Sequence, residues 1–132
     1  MIMIKEVRQM FGQDRPGAGE EKQRIIQEFV PGKQVTLCHV IANPDKSLFK
    51  KLGVIGDHSG AIGIMTITPS EGAIIGADVA MKAANVEVIF VDRFNGTLIV
   101  NGDVADVETA ITDVLHMLEN VLGFAPTRVT KS

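Results

Sequence analysis

The spacing of apolar positions changes several times along the chain, and each change marks an element. Residues 2–11 set Ile4, Val7 and Phe11 at helical intervals, which predicts a short amphipathic helix. Arg15-Pro16-Gly17-Ala18-Gly19-Glu20-Glu21 is polar and rich in breakers, so it reads as a mobile linker, and the ordered region is expected to begin near Gln23. Arg24-Ile25-Ile26-Gln27-Glu28-Phe29-Val30 reads as a strand. Pro31-Gly32 suits the centre of a type II turn, where proline presets φ and glycine accepts a positive one. From Lys33 to Ala42 the pattern alternates, placing Val35, Leu37, His39 and Ile41 on one strand face. Asn43 as N-cap and Pro44 as the first helical residue are expected to open a short helix to Leu52, stopped by Gly53.

Asp57-His58-Ser59-Gly60 has turn composition, and the run from Ala61 to Thr68 predicts another strand. Thr68-Pro69-Ser70-Glu71 has the spacing of a capping box. The helix after it, to about Ala84, lines up Ala73, Ala77, Ala80 and Ala84 with Gly76 beside them, a small-residue stripe that allows close packing. Val86 to Asp92 and Thr97 to Asn101 are strands joined at Asn95-Gly96, a hairpin signal. Asp103 is placed to cap the last helix, whose stripe of Val104, Val107, Ile111, Val114, Leu118 and Val121 is the clearest in the chain, and Gly123 ends it. The tail from Ala125 to Ser132 is expected to be a loose arm. The order predicts a mixed α/β (α+β) domain, a largely antiparallel sheet covered by helices in a ferredoxin-like split βαβ arrangement.

Composition narrows the function. The 132 residues, 45% hydrophobic, suit one domain with a genuine core. Thirteen basic and sixteen acidic residues leave a net charge of −3, against a nucleic-acid binder, which needs a basic stripe. No apolar run approaches the ~20 residues of a membrane span, and charge interrupts the N-terminus too early for a signal peptide. The single Cys38 has no partner for an internal disulfide, and a reducing cytoplasm is the expected compartment. Trp and Tyr are absent, so the large amphipathic anchors of many binding sites are missing.

Nothing in the sequence specifies catalysis, a cofactor or a metal. The glycines match neither a P-loop nor a dinucleotide fingerprint. Asp57, His58 and Ser59 are adjacent, whereas relay members normally come from separate segments, so a polar turn is the reading. The three histidines lack metal spacing: His39 is expected to be hydrogen-bonded and structural, His116 solvated or facing a partner. Cys38 reads as a small packed side chain, and Asp92-Arg93 as a strand-end ion pair or solvated pair.

Gly60-Ala61-Ile62-Gly63-Ile64-Met65-Thr66-Ile67-Thr68-Pro69-Ser70-Glu71-Gly72, the run Ala80-Met81-Lys82-Ala83-Ala84-Asn85-Val86-Glu87-Val88, and the run from Asn95 to Val104 resemble the core of hexamer-forming bacterial microcompartment shell proteins. His39-Val40-Ile41-Ala42-Asn43-Pro44 resembles a segment that follows the last helix in ordinary members but here precedes Gly60. With Arg24 to Leu37, this looks like the circularly permuted subfamily of ethanolamine, propanediol and choline utilisation compartments. The resemblance covers about residues 23–132 and leaves residues 1–22 outside.

The resemblance implies a non-enzymatic shell subunit in the bacterial cytoplasm, six copies of which form a disc that tiles with other shell proteins around cargo enzymes. It implies that Ile25, Ile26, Gln27, Glu28, Phe29 and Val30 join their symmetry mates in a β-barrel over the central pore, which removes open strand edges. Phe94, Asn95 and Gly96 match the pore-lining segment, and the barrel would occlude that pore. Lys82 matches a lysine at the disc edge, where the expected arginine is replaced by Asn43. Gly60 is the expected hinge for subunit tilt, so open or screw-like assemblies are allowed beside closed rings. Residues 1–22 are expected to dock cargo or a neighbouring tile, or to serve only as a leader. The alternative is an oligomeric, ferredoxin-like sensor that holds a small metabolite between subunits.

Overall fold

A strand buried on both faces belongs in the interior of a sheet. Ala61–Thr68 is such a strand: Ala61, Met65 and Ile67 are buried toward one side, Ile62 toward the other. In the computed structural model, which describes residues 32–132, it is the middle of five strands. In chain order the elements are β1 (Gln34–Ile41), α1 (Lys46–Lys51), β2 (Ala61–Thr68), α2 (Glu71–Ala83), β3 (Glu87–Asp92), β4 (Thr97–Gly102), α3 (Val104–Asn120) and β5 (Thr130–Lys131). The sheet order is β3-β4-β2-β1-β5. β2 runs antiparallel to β1 and β4, β4 antiparallel to β3, and only β5 is parallel to its neighbour. β2 and β3 are therefore parallel with β4 between them and α2 crossing over, the split βαβ expected from the sequence.

The two faces are unequal. α2 and α3 cover one, where Val107, Ile111, Val114 and Leu118 of α3 are fully buried with Val35, Cys38, Val40, Leu98 and Val100. Each such side chain contributes roughly 1.5–3 kcal/mol relative to leaving it in water. Gly63 lets α3 approach: a Cβ there would stand 2.8 Å from side-chain carbons of Val107 and Ile111. The other face carries a smaller cluster of Phe49, Ile62 and Ile99 beneath α1.

Four local expectations are corrected. In β1 the core-facing residues are Val35, Cys38 and Val40, because a bulge between Val35 and Leu37 shifts the alternation by one. Leu37 is consequently exposed, and His39 and Ile41 turn to the other face. α1 is capped by Asp45, not Asn43: the Asp45 carboxylate accepts from the Ser47 N–H at 2.9 Å and the Ser47 hydroxyl at 2.8 Å. An ionised acceptor also suits the positive helix end better than an amide. Gly53 does end α1, at φ +80, with Gly53 N–H bonded to Lys50 O and Val54 N–H to Phe49 O.

The capping box does not form. Thr68 remains in the β ladder opposite Gln34, α2 begins at Glu71 with Ser70 as N-cap, and no side-chain cap bond is made. Glu71 thus stands at the first helical position rather than the third. The free amides of Gly72 and Ala73 instead bond to Pro69 O and Ser70 O. Asp103 is the N-cap of α3, again without a side-chain bond.

The tail is not a loose arm. Phe124 is buried, Ala125 exchanges backbone bonds with Lys33 and Val35, and β5 extends the sheet beside β1. His39 Nδ1 lies 2.6 Å from Thr130 Oγ1 and its Nε2 2.8 Å from Ser132 Oγ. Lys131 pairs with Glu108 of α3 at 2.8 Å. An edge strand with open N–H and C=O groups was available, and the tail occupies it.

The expected helix at 2–11, the linker at 15–21 and the strand from Ile25 to Val30 lie outside the described residues. Gly32 has the positive φ, +83, that its turn requires.

Candidate assembly surface

α2 distributes its side chains opposite to the usual rule. Its inner face is made of Gly72, Ala73, Gly76, Ala77 and Ala80, while Ile74 and Met81 stand 50% and 53% exposed. The small residues bring the helix close: a Cβ on Gly76 would meet Val114 at 3.1 Å and Leu98 at 3.2 Å. With the inner face filled by backbone, the large apolar side chains point outward. Ile74 continues into an open groove with Phe90 and Val91 of β3 and Phe94 of the hairpin. Among the described residues β3 is a sheet edge, bulged between Val88 and Phe90. A contiguous apolar surface beside an open strand edge is the signature of a protein interface.

The β3–β4 hairpin ends this groove. Its turn spans Arg93 to Gly96, wider than the two-residue turn the Asn-Gly signal suggests. The Asp92 carboxylate accepts from the Phe94 N–H at 2.8 Å, the Asn95 N–H at 3.1 Å and Asn95 Nδ2 at 2.9 Å. Those bonds hold its carboxyl below the ordinary carboxylate range. Asp92 therefore serves the turn and not Arg93, whose guanidinium lies 5.2 Å from the Phe94 ring centre. Gly96 has φ +78, donates to Asp92 O at 2.8 Å and accepts from the Ile67 N–H at 2.9 Å. A Cβ at Gly96 would strike Ile67 O, so glycine is required. Phe94 and Asn95 are thrown into solvent, Phe94 at 79% exposure.

The other singled-out residues are dispersed. Lys82 sits on the exposed side of α2 and pairs with Asp78 at 2.8 Å. Asn43 is exposed just before α1. Gly60 has φ +89, and a Cβ there would stand 2.6 Å from Gly102 O. Asn101 Nδ2 clamps both sides of Gly60, donating to Ser59 O and Ala61 O at 2.9 Å each. Ile25 to Val30, expected to form a barrel, lie outside the described residues.

The titratable side chains have structural surroundings. His58 approaches Glu87 at 3.3 Å and stacks on Phe49 at 5.8 Å between ring centres. Cys38 is buried and free, and burial pushes its thiol up to about 12, which suppresses the thiolate. His116 is exposed. Among the described residues no three His, Cys, Asp or Glu side chains cluster as metal ligands, and no helix is long and apolar enough to cross a membrane.

A family model, the BMC domain, matches residues 61–127, from the start of β2 into the tail. The chain belongs to the BMC-domain family. Bacterial microcompartment shell protein CutR of Streptococcus intermedius is 54% identical over 109 residues, 83% of this chain and 92% of that protein. Shell protein EutS of Salmonella typhimurium is 54% identical over 111 residues, 84% of this chain and 98% of that protein. The CutR flat hexamer superposes with a TM-score of 0.73 at 53% identity, covering 83% of this chain and 99% of that one. CutR is also solved as a screw of 41.9 Å pitch, with a TM-score of 0.72 at 51% identity over 77% of this chain and all of that one. Within this BMC-domain chain the family match takes in the outward side of α2 and the hairpin, and leaves β1 and α1 ahead of it.

The sequence reading did not single out Ile74, Met81, Phe90 or Val91. The signal was present: Ile74 and Met81 fall seven residues apart, off the alanine stripe, and β3 is apolar without alternation.

Proposed function

We propose that this chain is a structural subunit of a bacterial microcompartment shell, in which six copies close into a disc and discs tile into a coat. The observation that carries this reading is the inverted α2, small residues inward and Ile74 and Met81 outward, beside the open edge of β3. No described residue covers that surface, whereas a neighbouring copy in a ring would bury it. The relative CutR occurs both as a flat hexamer and as a screw. A head-to-tail contact here would likewise close or run on according to its rotation.

The finer features belong to the same proposal. The chain is a rotated BMC domain: β1 and α1 precede the family match at Ala61, yet β1 lies against the central strand. Gly32, the first described residue, precedes β1 at the end of the sheet that also carries the hairpin, since Gln34 faces Thr68 and Ile67 bonds to Gly96. That placement supports a barrel of Ile25 to Val30 above a pore lined by Phe94, Asn95 and Gly96. Lys82 and Asn43 are the disc-edge contacts, and Gly60 is the hinge, with Asn101 as its latch. Residues 1–22, outside the BMC-domain resemblance, dock cargo or another tile or serve only as a leader.

The test is the mass and shape of the purified full chain, by light scattering and negative-stain imaging. Hexameric discs, or tubes and screws built from the same contact, are expected. A monomer at concentrations well above those of the imaging grid would sink the proposal.

A further inference from the structure

The two faces of the sheet differ in charge as well as in cover. α1 carries Lys46, Lys50 and Lys51, all exposed, and no acid within the helix. Its capping carboxylate, Asp45, is taken up by Ser47. Among the described residues no carboxylate lies within ion-pair distance of these three lysines. The loop after α1 adds Ile55, 92% exposed, with Asp57 and His58 following it. The α1 side is thus a basic surface around an isoleucine that no described residue covers.

The opposite side is acidic. α3 contains Asp106, Glu108, Asp113 and Glu119 and no lysine or arginine. Lys131 pairs with Glu108, and Lys33, past the end of the helix, donates to the Leu122 carbonyl, so among the described residues Asp106, Asp113 and Glu119 make no ion pair. Glu119 stands in the last turn, where the helix dipole disfavours a carboxylate and favours a cation. The acid is therefore not there for the benefit of the helix. Beside it Val121 stands 67% exposed. An exposed aliphatic residue next to acids on one face matches an exposed aliphatic residue next to lysines on the other.

We propose that copies of this protein stack face to face, the basic α1 side of one disc on the acidic α3 side of the next, perpendicular to the plane in which they tile. The occupant of the α1 surface is a second copy of this chain, because the complementary charges are on the chain itself. The contact is head to tail, so it leaves one face of every stack open and propagates. The inference rests on the hexameric reading: a single exposed ion pair is weak, and six copies per disc make it count.

The experiment separates stacking from ring formation. Full-length protein is compared at about 0.1 M and about 1 M salt, where the screening length falls from about 10 Å to about 3 Å. Hexamers are expected at both, with stacks at low salt that dissolve at high salt. Two charge-reversed variants, K50E/K51E and D113K/E119K, are each expected to form hexamers but to lose stacking at least tenfold. Mixing the two preformed hexamer populations restores stacking, because each then offers the face that the other has lost. Stacks that ignore salt and survive both reversals, or a mixture that stays dispersed, overturn the proposal. Hexamers alone at low salt overturn it too, while leaving the ring intact. Absence of hexamers in every sample would remove the ring reading and this one with it.

Discussion

α2 and α3 lie side by side on the same sheet and obey different rules. α3 is an ordinary core helix: Val107, Ile111, Val114 and Leu118 point in, Asp113 and His116 point out. α2 buries glycine and alanine and exposes Ile74 and Met81. The difference shows that the hydrophobic payload of α3 is spent within the subunit, and that of α2 is left for another molecule. A single subunit accounts for the apolar stripe of α3, whereas the described residues leave the large apolar side chains of α2 half uncovered.

The comparison can be broken most directly at Ile111. I111A removes a fully buried side chain from the main core and is expected to cost about 2–5 kcal/mol of subunit stability. I74S/M81S, on the outer side of α2, is expected to change the melting of the dilute subunit by less than about 0.5 kcal/mol, yet to abolish the disc seen by light scattering. If the two variants lower subunit stability equally, or if I74S/M81S leaves discs intact, the contrast between the helices is wrong.

A middle-sized effect is expected at Gly60. G60A puts a side chain at φ +89 and 2.6 Å from Gly102 O, a strain of about 1–3 kcal/mol that denaturant titration would read. As the proposed hinge it should also shift the ratio of closed rings to open screws in micrographs. A stability loss with an unchanged ratio leaves Gly60 as a packing glycine only.

The smallest effect belongs to the hairpin that borders the α2 groove. The Asp92 carboxyl is held low by the Phe94 N–H first and then by Asn95, and Asp45 is held low by Ser47. A carboxyl depressed in the folded state contributes stability that is complete above its unfolded pKa, about 4. That contribution fades as pH falls through the lower folded value. D92N should therefore flatten the acid limb of stability below about pH 4. At neutral pH the hexamer should be unaffected. An acid limb identical to that of the unmodified chain would show that the turn does not depend on the charge.

Much of this protein was legible before any coordinates. The split βαβ order followed from strand runs, the Asn95-Gly96 signal and the stripe of α3. The structural reading of His39 and the packed reading of Cys38 also stand. The exposed side of α2 was readable from spacing but masked by the alanine stripe beside it. The β1 bulge was not readable, because one inserted residue leaves composition unchanged while reversing every face. Nor was the tail, whose apolar content is too thin to announce a strand and whose place depends on the free edge of β1.

What the sequence determined alone were the properties set by near neighbours: helix periods and the glycine turns at Gly53 and Gly96. Contacts between distant segments were decided only in three dimensions. Asp92 turned from Arg93 to the hairpin backbone, Asp45 displaced Asn43 as a cap, and the tail found the sheet. Local pattern fixes how a segment bends, but which donor or open edge lies within reach is known only once the chain has closed on itself.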